Sequence, residues 1–144
     1  VTSYVRLFIK SSLAWLCLGV TAGGAMAIRA EWMVYRPAHF HMLALGFAAM
    51  MIYGVAYHVM PRFSGVALAS EKTPMVHWWL SNVGLLMLAS GFVVRAAGGR
   101  YHAAFLATGG VLSALGAYQF AWTIWRTIEP PRVKRVRRSL LVVE

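Results

Sequence analysis

The sequence predicts an all-α integral membrane protein built as a four-helix transmembrane bundle. Composition is the first reason: 60% of the 144 residues are apolar and 12% are charged, and the mean hydropathy is +0.62, well beyond ordinary soluble domains. The second is that four runs of about 20 mostly apolar residues are each long enough for a hydrocarbon layer roughly 30 Å thick. The third is economy. Four spans, three short connections and a tail use the whole sequence, so no soluble domain remains to work apart from the bilayer.

The first span, residues 4–28, is interrupted near its start by Arg6 and Lys10. Their stems can lie along the helix while the charged heads reach the interface, which leaves Leu13 to Ile28 and a tilted first turn as the crossing. A basic start before an apolar stretch also fits a signal peptide. The small residues Thr21 to Ala27 continue apolar toward Glu31 and suit helix packing, so a span is expected. The second span, residues 37–60, runs from Arg36-Pro37-Ala38-His39-Phe40-His41 to Tyr57-His58-Val59-Met60-Pro61-Arg62-Phe63. Its Gly46 and Gly54 share one helical face. The third, residues 74–94, carries His77 near its start and places Gly84 and Gly91 on one face. The fourth, residues 102–125, begins at His102 and ends among Trp122 and Trp125. Small residues on a face read first as sites of close helix packing, and alternatively as a flat surface for a macrocycle. A basic tail, residues 130–144, follows.

Ten of the fourteen Lys and Arg residues fall on the side shared by both termini: Arg6, Lys10, Arg62, Lys72, Arg126, Arg132, Lys134, Arg135, Arg137 and Arg138. Arg29, Arg36, Arg95 and Arg100 fall on the other. The positive-inside rule then expects both termini in the cytoplasm. The tail dominates the net charge of +10 and reads as a stop signal on anionic headgroups. No folded surface presents that charge to nucleic acid, so no nucleic-acid partner is expected. The single Cys17 cannot form an intramolecular disulfide, and the absence of a Cys-x-x-Cys-His string excludes covalent c-type heme attachment.

The five histidines carry the chemistry. Imidazole is costly to strand at membrane depth and is a common ligand of heme iron, zinc and copper. The topology sorts them into an outer group, His39, His41 and His102 with Glu31 near, and an inner group, His58 and His77. At 1.5 Å per residue, His41 and His58 stand roughly 25 Å apart and cannot share one metal. Each histidine could instead be an interfacial polar residue, and His58 and His77 could pair with each other or with backbone carbonyls. Residues two apart on a helix point to nearly opposite faces, so one of His39 and His41 can face a cofactor while the other meets a neighbour or a second metal. Met42, Phe47, Met50, Met51 and Phe105 could wall a heme slot. Arg36 and Arg100 could bind its propionates.

The stretches Arg36-Pro37-Ala38-His39 and Tyr57 to Gly65 resemble the second transmembrane helix of subunit I of heme-copper oxidases and nitric oxide reductases. With Gly46-Phe47 and Pro61-Arg62-Phe63-Ser64-Gly65 they are also similar to nitric-oxide-response membrane proteins. The resemblance is specific over about 30 residues. It implies a noncovalent heme b, with His39 favoured as axial ligand by the Arg-Pro-x-His context, His41 by the His-x-His pattern, and His102 as the second ligand. It also implies the cytoplasmic membrane of a prokaryote and a redox partner protein. The oxidases need a consecutive His-His pair, which this sequence lacks, so a complete oxygen-reducing centre is not expected. Since the family's subunit I has twelve helices in three four-helix arcs, a homotrimer would rebuild that arrangement. The function expected is electron transfer or binding of NO, O2 or CO. Two alternatives stand beside it: a non-heme copper or zinc protein drawing on His41, Glu31, His58, His77 and the methionines, and a structural accessory subunit of a respiratory complex.

Overall fold

A computed structural model describes residues 1–68 and 70–129; the basic tail of residues 130–144 lies outside them. Among the described residues, four helices are long and apolar enough to cross a membrane: α1 (Ser3–Ile28), α2 (Ala30–Ser64), α3 (Lys72–Ala96) and α4 (His102–Ile128). The expected fold class holds, an all-helical membrane bundle.

The helices alternate in direction, as the short connections require. Tyr4 of α1 meets Tyr57 of α2, Phe8 meets His77 of α3, and Tyr57 meets Phe120 of α4, which gathers one end of all four helices. This end, holding Ser3 and Ile128, is termed the terminal end. At the opposite, distal end His41 packs on Phe92, and Gly91 faces Leu106. The closest pairing is the α3–α4 hairpin; α1 packs along α2, which also touches α3 and α4.

Lipid is as apolar as leucine, so helices in a bilayer associate through close packing and hydrogen bonds rather than through solvent exclusion. The glycines serve that packing. A Cβ on Gly109 would stand 2.5 Å from the Leu88 backbone nitrogen and 2.7 Å from the Gly84 carbonyl oxygen, so α3 and α4 touch backbone to backbone. Gly46 receives Trp15 and Leu85, and Gly54 receives Phe8 and Ile9. Tyr4, Val5, Phe8, Met50, Tyr57 and Leu85 form the buried cluster. Polar bonds between α1 and α3 add direction: Trp15 Nε1 donates to Asn82 Oδ1 at 3.2 Å, and Trp78 Nε1 donates to Ser11 Oγ at 3.0 Å. Leu18, Ile52, Leu86, Val111 and Trp122 remain exposed on the outside, as lipid contact demands.

The second helix is the irregular one. It opens as a 3-10 turn over Ala30–Tyr35, becomes α-helical over Arg36–His41, widens to a π-helix over Met42–Ala49, and returns to α over Met50–Ser64. The span expected from residue 37 therefore starts earlier, with a turn closed by Trp32 N donating to the Arg29 carbonyl. Pro37 then sits in the first turn of regular helix, where its missing N–H costs no bond. Gly65 ends the helix with φ of 65°, a left-handed cap that glycine takes without strain.

Candidate functional site

Histidine placement at the distal end follows from the first turns of α2 and α4. His39 points toward α1, where its Nδ1 lies 2.8 Å from the Gly19 carbonyl oxygen. Gly23 makes room for the ring, since a Cβ there would stand 2.9 Å from His39 Cε1. His41 points toward α3 and packs on Phe92 with ring centroids 5.0 Å apart. Its Nδ1 lies 2.8 Å from the Pro37 carbonyl oxygen. At the start of α4, His102 Nδ1 lies 2.8 Å from the Gly99 carbonyl oxygen.

A carbonyl can only accept, so in each of these three bonds Nδ1 carries the proton and donates it. The neutral ring then keeps its lone pair on Nε2. This is how metal-binding histidines are normally held, one ring nitrogen tied to a backbone oxygen and the other free for the metal. His58 is held the opposite way: Arg62 Nη1 donates to its Nδ1 at 3.1 Å and also contacts the His58 carbonyl oxygen. The three distal rings therefore share one donor arrangement that His58 lacks.

An apolar cleft of about 370 Å³ opens beside His39, lined chiefly by Ala22, Met26, Trp32, Tyr35, Ala38 and Met42. This volume lies within the range of small-molecule and cofactor pockets. His39 is the histidine in its lining; His41 and His102 are not part of it. Of the side chains expected to wall a slot, Met42 does so, while Met50 is packed into the protein core at 1% exposure. Phe47, Met51 and Phe105 do not line this cleft. Arg36 and Arg100 are both exposed, and Arg100 rests over the Tyr101 ring at 5.4 Å. Glu31 pairs with Arg29 at 3.5 Å on the open surface. Among the described residues no group of three His, Cys, Asp or Glu is placed to hold a metal ion.

At the terminal end His77 and His58 have separate partners. His77 is wholly buried and its Nδ1 meets the Tyr57 hydroxyl at 3.0 Å. The rings of Phe8, Tyr53, Tyr57 and Phe120 surround it. Sequence reasoning missed Tyr57 as this partner because the adjacent His58 drew the attention. The available signal was spacing, since Tyr57 falls three residues after Gly54 and so on the packed face of α2.

No protein-family model matches this chain. It is 27% identical over 136 residues to cytochrome c oxidase subunit 1 of Rhodobacter capsulatus, covering 77% of this chain and 25% of that protein. It is 25% identical over an alignment of 155 positions to the Cbb3-type cytochrome c oxidase subunit CcoN1 of Stutzerimonas stutzeri, covering 85% of this chain and 32% of that protein. The chain thus spans about a quarter to a third of the length of these curated relatives. The chain is related, at low identity, to heme-copper oxidase subunit I.

Proposed function

We propose that this chain is a b-type heme protein of the membrane, serving electron transfer or the binding of NO, O2 or CO. The observation that carries the reading is the shared state of the three distal histidines, each with Nδ1–H committed to a backbone carbonyl and Nε2 left as a ligand. The similarity to two cytochrome c oxidase subunits supports it from an independent direction. The donor set fits a heme: imidazole nitrogens, a mostly apolar cleft beside one of them, and two exposed arginines at the same end.

His39, in the cleft lining, would hold the heme iron, with His41 as its alternative. His102 would be the second heme ligand, and the spare histidine of the pair, His41 held toward Phe92 where His39 holds the heme, would be left for a second metal, copper or zinc. Arg36 and Arg100 would neutralise the propionates by charge-assisted hydrogen bonds. A bound heme supplies a one-electron iron couple and, where an axial position is open, a site for a diatomic gas. The chain's own part is to fix the imidazoles, exclude water with Met26, Trp32 and Met42, and leave one edge open at the distal surface. Because the cleft opens outward, a second copy of the chain would close it, and a homotrimer of four-helix units would give the twelve-helix count of the oxidase subunit. We further place the terminal end in the cytoplasm of a prokaryotic cell, on the distribution of Lys and Arg.

The test is an optical spectrum of the detergent-purified protein, oxidised, dithionite-reduced, and reduced with carbon monoxide. A Soret band with sharp reduced α and β bands is expected. Bands unchanged by carbon monoxide identify a six-coordinate electron carrier, and a shifted Soret identifies gas chemistry. Purified protein without a Soret band after expression with ample heme would overturn the proposal.

A further inference from the structure

Among the described residues, two buried side-chain polar atoms have no partner, His77 Nε2 on α3 and Ser113 Oγ on α4. Stranding a polar atom in a bundle core is costly, and the two atoms belong to helices that pack directly on each other. A cavity of about 20 Å³ lies among Leu45, Ala49, Tyr53, Ser81 and Ser113, enough for one water molecule and provided with hydroxyl partners. His77 lies outside this lining and neighbours two of its members: its ring packs on Tyr53 at 4.6 Å between centroids, and Ser81 follows one turn later on the same face of α3. The missing side chain of Gly116 joins the two, because His77 Cδ2 and Ser81 Oγ each lie 3.2 Å from the point a Gly116 Cβ would occupy.

From the other side, His77 Nδ1 is bonded to the Tyr57 hydroxyl. Tyr57 also lines a cleft of about 190 Å³ at the terminal end, together with Thr2, Tyr4, His58, Arg62 and Glu71. Along α3 from Lys72, Ser81 stands about 13 Å deep, close to half of a hydrocarbon layer roughly 30 Å thick. The polar atoms thus form a line from the membrane surface to the middle of the bundle.

We propose that one water occupies the Ser81–Ser113 cavity, and that Tyr57, His77 and this water make a proton-exchange path from the terminal-end cleft to mid-membrane. A protonated water in the cleft gives its proton to the Tyr57 oxygen while the Tyr57 proton passes to His77 Nδ1. In the same event Nε2 releases its proton to the cavity water. The ring changes tautomer and remains neutral, Tyr57 regains its proton, and the excess proton rests on the cavity water until it returns or passes on. The rings around His77 are neutral, and the charged groups at the cleft are Arg62 and Glu71, with His58 also in its lining. The proposal does not depend on heme.

The experiment is NMR of the full chain in lipid bilayers with 15N-labelled histidine, following transfer from water to each ring N–H. The His77 signal is assigned by its loss in His77→Gln. In the wild-type protein the His77 Nε2 proton is expected to exchange with water. In Tyr57→Phe the signal should persist with exchange slowed by about tenfold or more, and in Ser113→Ala or Gly116→Ala the water contact at Nε2 should weaken. Unchanged signals from His39, His41 and His102 certify that each variant is folded. A wild-type His77 Nε2 without water contact would overturn the water site, and exchange insensitive to Tyr57→Phe would overturn the path.

Discussion

At the scale of single residues, what separates the histidines is the identity of the atom bonded to Nδ1. A backbone carbonyl forces the proton onto that nitrogen at His39, His41 and His102, an arginine forces the reverse at His58, and a hydroxyl allows either at His77. Two predictions belong here. His102→Ala should strip or convert the heme spectrum while His77→Ala leaves it intact; equal heme retention in both variants would remove His102 from the proposed ligands. Gly23→Val should push His39 off the Gly19 carbonyl, because even a Cβ would stand 2.9 Å from the ring. Loss of a carbonyl that orients a metal-binding histidine weakens binding roughly 10–100-fold, which heme titration of the variant would read. The candidate residues themselves were legible from sequence, since imidazole is rare at membrane depth. Their nitrogen states were not, since Gly19 lies twenty residues before His39 and only the packing of α1 on α2 supplies its carbonyl.

Within the helices, spacing identified the packing faces and missed the irregular segment. Gly84, met by Gly109 and Ser113, and Gly91, met by Leu106, let α3 and α4 approach until backbones touch. Gly109→Val should therefore cost more than the about 1–3 kcal/mol usual for overpacking, because the atoms it meets are backbone and cannot swing aside. Gly110→Val is the control, with nothing within 4 Å of its Cβ position, and thermal unfolding in detergent should separate the two. Asn82→Leu removes the acceptor of the Trp15 bond and should cost only about 0.6 kcal/mol, the average for such bonds in membranes. The π segment over Met42–Ala49 is uniformly apolar, and nothing in its composition marks a change of helix type. It starts directly after His41, and wide turns of this kind commonly accompany functional sites.

For the whole molecule, the expectations concern assembly and orientation. Native mass spectrometry in mild detergent should find three chains together; a monomer retaining full heme would eliminate the shared cleft. A fluorescent protein fused after Glu144 should mature in the cytoplasm, and alkaline phosphatase fused there should stay inactive, if the terminal end faces inward. Neither outcome follows from the fold of one chain, because identical helices pack equally well with either end inward.

Apolar length and composition alone determined that this is a membrane protein of four helices, because a bilayer admits few ways of satisfying the backbone. The same one-dimensional reasoning divided the histidines into two depths, since the rise per residue is fixed. Only the tertiary structure decided which atoms face one another across helices: His39 against Gly19, His77 against Tyr57, and Ser113 beside a small cavity. Those contacts depend on helix rotation and close approach, which arise from packing between segments distant in sequence.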